Sequence, residues 1–244
     1  MRFLILFLIG FFSNFAYTPG KWSVFDKYSL GSEKNGPTAE TVKNKSDQVL
    51  YSATYEYDSN GKLSSEKYTN SKGEPDGNTK YTYENNKLIK EELFSAAGDL
   101  VESKNFYYNL KDTLKEVKIN LVSSGKTIRY RIFSMNKDFT NECETRWEDE
   151  NTVESFSTKK DILEENVWIQ EVFDERKKQI GEIKFFYDKD KRLLKRENSQ
   201  ASQKRLQTFA YGENGKLISF AFHVKQDENW LLIKTHYLSY NAKN

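Results

Sequence analysis

The sequence is poor in the residues that usually build reactive or cross-linked sites. Its 244 residues include one cysteine and two histidines. One cysteine excludes an intramolecular disulfide framework and a four-cysteine zinc site. Proline and glycine are also scarce, with 3 and 12 residues. A formal net charge of +2 argues against a dedicated nucleic-acid binder, which would carry a strong basic excess.

The abundant residues are aromatic and charged ones. Aromatic side chains make up 15% of the chain and charged ones 30%. Disordered chains are poor in aromatics, so this composition predicts a folded protein. The mean hydropathy of −0.81 predicts a fold with little dry interior for its surface.

The N-terminus has the pattern of a secretory signal peptide. A basic start at Arg2 precedes ten apolar residues, 3–12, and the small residue Ala16 follows. Ten residues are too few to span a bilayer, which needs about 20. We therefore expect residues 1–16 to be a signal peptide and the mature protein to be periplasmic, surface-located or extracellular, and not membrane-spanning once processed.

A polar lead-in follows the apolar run. Residues 17–48 hold two of the three prolines and end in a polar run, and no regular structure is assigned to them. The predicted organisation is thus a signal peptide at 1–16, a loosely ordered lead-in at 17–48 and a repeat domain at 49–244.

A repeat of about 26 residues organises the third segment. Each unit opens with two aromatics separated by one residue, continues into a turn and resumes at a leucine, as in YEYDSNGKL from Tyr55. The second aromatic recurs at Tyr57, Tyr83, Tyr108, Tyr187, Tyr211 and Tyr240. The returning leucines are Leu63, Leu88, Leu114, Leu193 and Leu217.

Alternating side chains on both sides of each turn predict β-hairpins. Asn60-Gly61 is typical of a tight hairpin turn because it tolerates positive φ angles. About seven hairpins over residues 49–240 predict an all-β, up-and-down antiparallel meander of 14 to 16 strands. Residues 161–179 fit a helix or a strand, and the flanking repeat favours a strand.

Three all-β architectures fit such a meander. A transmembrane barrel needs an apolar lipid-facing band, and strand-like runs such as TIRYRIF from Thr127 place two arginines on one face. A sandwich needs one apolar face in every strand, which about half of the strands show. An open twisted or partly wrapped sheet, with aromatic columns as its core, is the favoured interpretation.

The best-formed units carry a family resemblance. YEYDSNGKL at Tyr55, FFYDKDKRL at Phe185 and FAYGENGKL at Phe209 resemble the tyrosine–aspartate (YD) repeat of bacterial surface and Rhs-type proteins. They are also similar to the shorter hairpins of MORN-type repeats. The resemblance covers about four-fifths of the chain and implies an extracytoplasmic β-repeat, without implying an activity.

Few residues are candidates for catalysis or metal binding. Cys143 lies between two glutamates, which oppose a reactive thiolate, and it is interpreted as a strand cysteine. His223 and His236 would stand opposite each other if the last hairpin were centred between Asn229 and Trp230. A third metal ligand is doubtful there, so both are interpreted as ordinary strand histidines, and no metal or cofactor is predicted.

The sequence thus predicts a non-enzymatic exported bacterial repeat protein with a binding or envelope-structural role and a protein or glycan partner. An immunity-type protein binder and an enzyme acting on envelope glycans are the alternatives. The candidate binding residues are the recurring tyrosines, if their columns form a surface rather than a core. They are Tyr57, Tyr83, Tyr108, Tyr187 and Tyr211.

Overall fold

The computed structural model describes residues 36–110, 114–135, 140–147, 152–173, 176, 178–200 and 203–240. These residues form sixteen β-strands and a 3-10 turn at Val122–Ser124. The strands are β1 (Ala39–Asn44), β2 (Val49–Tyr57), β3 (Leu63–Asn70), β4 (Pro75–Glu84), β5 (Lys87–Phe94), β6 (Leu100–Tyr108), β7 (Leu114–Leu121), β8 (Lys126–Met135), β9 (Thr140–Trp147), β10 (Thr152–Glu164), β11 (Val167–Phe173), β12 (Gln179–Tyr187), β13 (Leu193–Gln200), β14 (Gln203–Tyr211), β15 (Leu217–Gln226) and β16 (Asn229–Ser239). The signal peptide predicted at 1–16 lies outside the described residues.

The strands form one antiparallel sheet in which each strand pairs with its neighbour in sequence. This confirms the all-β class, the up-and-down meander and the expected number of strands. The segment whose conformation was ambiguous forms the end of β10 and all of β11, so the favoured strand interpretation is confirmed there.

The two ends of the sheet meet at β1. This strand pairs with β2 on one side and with β16 on the other, so the sheet closes into a barrel. The sequence predicted an open or partly wrapped sheet, and the structure differs because β1 supplies a strand between the two predicted edges. Pairing both edges removes the unpaired backbone groups that exposed edge strands present.

β1 lies inside the segment 17–48, where no regular structure was expected. Its inward residues are Glu40 and Val42, which are 1% and 0% exposed. Because one of the two inward positions is a carboxylate, the segment does not show the apolar alternation by which strands are predicted. The sheet therefore begins before residue 49.

The apolar core covers the inner face of the sheet in two clusters. In both, the second aromatic of a repeat unit is half-buried, and the first is buried except at Phe185. The first cluster is formed by Ala53, Tyr55, Leu63, Tyr68, Tyr81, Leu88, Phe106, Val117 and Ile119. The second is formed by Leu193, Phe209, Leu217, Phe220, Phe222 and Leu238.

In three units the second aromatic joins neighbouring hairpins through its hydroxyl group. The Tyr108 hydroxyl donates a hydrogen bond to the Leu88 carbonyl oxygen at 2.9 Å. The same bond recurs from Tyr211 to Leu193 at 2.9 Å and from Tyr240 to Leu217 at 2.7 Å. Each bond satisfies a carbonyl next to an irregularity in the strand pairing, where the ladder leaves it without a regular partner.

In four units the basic residue before the returning leucine lies over the tyrosine ring of the next unit. Lys87 lies 5.6 Å from the centroid of the Tyr108 ring, and Lys216 lies 4.5 Å from that of Tyr240. Lys62 over Tyr83 and Arg192 over Tyr211 repeat the arrangement at 5.0 and 5.2 Å. A cation over an aromatic face is attracted by the ring quadrupole. The Lys-Leu or Arg-Leu pair of one unit thus binds the tyrosine of the next.

The turns within the units adopt two different conformations. After β2, the Asp58 carboxylate accepts hydrogen bonds from the backbone N–H groups of Asn60 and Lys62, both at 2.8 Å. Gly61 has a φ of 76°, whereas Asn60 does not have the positive φ that the tight-turn prediction gave it. The turn with two positive φ angles is Asn85-Asn86, at 47° and 66°.

The outer face of the described strands carries cross-strand and same-strand ion pairs. Lys90 lies 2.6 Å from Glu92, and Lys184 lies 3.1 Å from Glu182. Exposed pairs of this kind contribute little to stability. Within the described residues, no helix has the length and apolarity needed to cross a membrane.

We predict that sensitivity to truncation follows burial along β4. Tyr81 is 7% exposed and Tyr83 is half-buried, whereas Thr82 is exposed on the other face. Tyr81→Ala and Tyr83→Ala should each lower the free energy of unfolding by about 2–4 kcal/mol, with Tyr81 the larger effect. Thr82→Ala should stay within about 0.5 kcal/mol in the same urea titrations. Equal sensitivity at Thr82 would contradict the assignment of inner and outer faces.

Candidate functional site on the inner face of the sheet

The structure places the five candidate tyrosines at one end of the sheet. Tyr57, Tyr83, Tyr108, Tyr187 and Tyr211 are half-buried on the inner face and border the apolar clusters. Burial raises the pKa of the Tyr211 hydroxyl to about 12 and raises the pKa values of the other four. Three of the five donate structural hydrogen bonds to backbone carbonyls. Their role as binding residues stays a prediction.

The most deeply buried polar groups lie where the sheet closes. Glu40 on β1 accepts a hydrogen bond from the Tyr55 hydroxyl of β2 at 2.7 Å. Its other carboxylate oxygen lies 2.6 Å from Nδ1 of His236 on β16. Both side chains of the Glu40–His236 pair are 0% exposed. One carboxylate therefore links the first strand to both of its neighbours.

Aromatic side chains fix the His236 ring. The ring stacks on Phe220 with centroids 4.4 Å apart and an interplanar angle of 21°. Phe222 and Tyr51 contact it edge-on at 5.4 and 6.3 Å. With its ring held in this way, His236 presents Nδ1 to Glu40.

A second buried carboxylate lies on β3. The two oxygens of Glu66 accept hydrogen bonds from the hydroxyls of Tyr68 and Tyr81, each at 2.8 Å. The Tyr68 hydroxyl also lies 2.6 Å from the Thr79 hydroxyl. Burial, and then the charge of Glu66, raises the pKa of both tyrosines, so they remain hydrogen-bond donors over the ordinary pH range.

A buried lysine follows on β6. The Lys104 ammonium lies 2.7 Å from Glu91 and 3.4 Å from Glu102. Burial alone would lower the pKa of Lys104, but the two carboxylates together raise it. We call the four inward carboxylates of β1–β6 the acidic inner face. They are Glu40, Glu66, Glu91 and Glu102.

The inner face of β12–β16 has the opposite charge. Its inward cations are Arg196, Arg205 and Lys234, which we call the basic inner face. The acids of these described strands, Glu182 and Glu197, alternate with buried residues and so lie on the outer face. Burial lowers the pKa of Arg205 to about 10 and also lowers the pKa of Lys234.

The two histidines do not form the pair that a symmetric hairpin would give. The last turn is centred between Asp227 and Glu228, and an irregularity follows in the pairing. His236 is therefore opposite Phe220, while His223 is opposite Leu232 and lies on the outer face next to Leu206. Within the described residues, no group of three histidine, cysteine or acidic side chains is arranged to hold a metal ion. Cys143 lies on β9, as its strand interpretation required.

Sequence reasoning missed the inward carboxylates because the chain has 36 acids, too many for composition to single out these four. A usable signal was present in the alternation. Glu66 and Tyr68 are two residues apart in a strand whose apolar face is otherwise clear, and so are Glu40 and Val42. A carboxylate in phase with buried residues is typical of an inward position with a dedicated partner.

The comparisons with known proteins address the fold. The chain matches no protein-family model and no curated protein in sequence. A porin-like protein from Bacteroides uniformis superposes with a TM-score of 0.50 at 11% identity, covering 84% of this chain and 96% of that one. The complex TcdB2-TccC3-Cdc42 and TcdB2-TccC3 without its hypervariable C-terminal region give TM-scores of 0.30 and 0.27 at 8% and 10% identity.

The first of these neighbours shares the all-β architecture over nearly its whole length. The two toxin structures are covered to 15% and 16% of their own length, while 79% and 82% of this chain is covered. The resemblance to YD and MORN repeats stays a prediction.

We predict that the Glu40–His236 pair stabilises closure of the sheet. Glu40→Met leaves a buried imidazole and the Tyr55 hydroxyl without their acceptor, and should cost about 3–5 kcal/mol in urea unfolding. The double variant Glu40→Met/His236→Phe should recover the part of this loss that comes from the imidazole, because the buried imidazole is replaced together with its acceptor. Glu92→Met, which breaks an outer-face pair, should cost about 1 kcal/mol or less. Equal losses in the single and double variants would contradict direct coupling.

We also predict that the fold is lost at alkaline pH. A tyrosine that titrates near 10 when unfolded and near 12 when folded, as for Tyr211, contributes stability that is complete below about pH 10. That stability is lost as the pH rises from there through 12. Tyrosinate absorbance should therefore appear in the same transition as loss of the β-sheet circular dichroism. Full ionisation of the tyrosines with the sheet signal intact would contradict the prediction.

Proposed function

We propose that this chain is a non-enzymatic exported protein of the bacterial cell envelope that binds a protein or glycan partner. The observation that carries the proposal is the closed meander, whose architecture matches a porin-like protein over 84% of this chain. That neighbour's description supports an envelope location. The signal-peptide pattern at residues 1–16 supports export independently of the fold.

The burial and hydrogen bonding of Glu40 and Glu66 on the acidic inner face support a role without catalysis. General acid–base chemistry requires a carboxylate or imidazole that reaches the substrate. Glu40, Glu66 and His236 are 1%, 0% and 0% exposed. Both oxygens of each glutamate already accept hydrogen bonds or contact the imidazole, so these groups serve the sheet itself.

Exposed apolar side chains on β16 support a binding role. They are Leu231, Ile233 and Tyr237, which are 41%, 46% and 44% exposed. Aromatic and aliphatic side chains of this kind favour protein or glycan contacts. Tyr237 is opposite Thr41 of β1, the strand that closes the sheet.

The test combines location with binding. The native protein should fractionate with the envelope or medium and begin at or near Tyr17 by mass spectrometry. The purified protein should sediment with isolated envelopes. The double variant Leu231→Lys/Ile233→Lys should reduce the fraction that sediments, whereas Thr82→Lys, at an exposed position of β4, should leave it unchanged. An intact Met1 in a soluble cytoplasmic product contradicts export. Shortening of the envelope glycan by the purified protein contradicts the non-enzymatic role.

A further inference from the structure

A lysine and two glutamates meet on the inner face of β5 and β6. The Lys104 ammonium lies 2.7 Å from Oε1 of Glu91 and 3.4 Å from Oε1 of Glu102. Glu91 is directly opposite Lys104 in the strand pairing, and Glu102 is two residues before Lys104 on the same face of β6. The strand register therefore fixes all three side chains, since none of them lies in a turn.

The Lys104–Glu91 pair is almost completely buried. Its side chains are 6% and 3% exposed, whereas that of Glu102 is 16% exposed. Tyr81 is opposite Glu91 on β4, Ile119 is opposite Lys104 on β7, and both are buried. Removing two ions from water is costly, and their mutual attraction repays this cost only when further hydrogen bonds satisfy the remaining polar atoms.

One oxygen of Glu91 has no such hydrogen bond. Oε1 accepts a hydrogen bond from the Lys104 ammonium, whereas Oε2 is buried and accepts none from the residues that the structure describes. A buried carboxylate oxygen without a donor raises the free energy of the ionised form. Conversion of this carboxylate to a neutral amide would remove one of its oxygens and both charges of the pair.

We propose that Lys104 and Glu91 condense into an amide cross-link between β5 and β6, with Glu102 as the proton carrier. The cross-link would close residues 91–104 into a covalent ring beside the first apolar cluster. It would give a chain with one cysteine a covalent tie within its sheet. The inference goes beyond the proposed envelope role and does not depend on it.

The condensation needs no reagent other than these three side chains. One proton first passes from the Lys104 ammonium to the Glu91 carboxylate, which gives an amine and a carboxylic acid. The nitrogen lone pair then attacks Cδ of Glu91 and forms the C–N bond. Glu102 accepts a proton from this nitrogen and returns it to the Glu91 hydroxyl group, whose C–O bond breaks. The products are one amide and one water molecule, and the total charge of the three groups is unchanged.

The folded chain supplies conditions that favour this reaction. Two reactants held in contact behave as though they were at very high concentration. Burial disfavours charged forms, so the amine and the acid lie closer in free energy to the ion pair than they do in water. The two carboxylates raise the pKa of Lys104, so the ammonium is the resting form and proton transfer precedes attack. The released water leaves past Glu102, the most exposed of the three side chains.

Intact-mass spectrometry of the full mature protein, incubated folded and unfolded only for the measurement, tests the cross-link. We expect a mass one water lower than that of the uncross-linked chain with the same N-terminus. Trypsin cuts after lysine, and an amidated Lys104 resists it. Digestion should therefore give the fragment 91–111, one water lighter, in place of 91–104 and 105–111.

Three variants assign the roles. Lys104→Arg keeps a cation but has no amine nucleophile, so it should show the full mass of its sequence. Glu102→Gln keeps both reacting groups and should form the cross-link about 100-fold more slowly, the range for a lost proton carrier. Lys90→Arg is the matched control. Lys90 forms an outer-face pair with Glu92 at 2.6 Å, and this variant should lose one water like the parent.

Three results would overturn the proposal. One is a folded parent protein with the full mass of its sequence after prolonged incubation, a measurement that needs no substitution. Another is a loss of one water that persists in Lys104→Arg, which would place the loss elsewhere in the chain. The third is a Glu102→Gln protein that reacts as fast as the parent, which would remove Glu102 from the reaction. None of these results bears on export or envelope sedimentation, so the proposed function is tested separately.

Discussion

Closure of the sheet depends on a six-residue strand, β1, and on the carboxylate that it places between its neighbours. β1 pairs with β2 and β16, and Glu40 accepts the Tyr55 hydroxyl from one side and contacts His236 on the other. Backbone pairing would tolerate a shift in register. A buried carboxylate with one partner on each side does not, because a one-residue slip turns it outward and leaves both partners buried.

The repeated hairpins have a different source of cohesion. Three joints combine a tyrosine hydroxyl bound to a leucine carbonyl with a basic side chain over the same ring, as at Tyr108, Leu88 and Lys87. Each joint uses residues from two successive units. A unit therefore completes its neighbour, as expected of repeats that cannot bury their apolar face alone. This explains why the Lys-Leu or Arg-Leu pair recurs with the aromatics.

The strands and turns that recur with the repeat could be predicted from the sequence. Alternation and turn residues predict the hairpin strands, and the return strands begin at or next to Leu63, Leu88 and Leu114, as the structure has them. The sequence was insufficient for β1, whose inward Glu40 breaks the apolar pattern. The sequence also misplaced the last turn. In addition, one irregularity in the β15–β16 pairing, next to Phe222 and His223, moves His236 to the inner face and leaves His223 on the outer face. Such irregularities shift faces without leaving a distinct mark in the sequence.

A partly polar interior also explains how a chain of such low mean hydropathy forms a sheet of sixteen strands. With a mean hydropathy of −0.81, the chain cannot fill the inner face of sixteen strands with aliphatic side chains. Tyrosines extend the apolar area and supply hydroxyl donors, so buried carboxylates such as Glu66 become acceptable in the same layer.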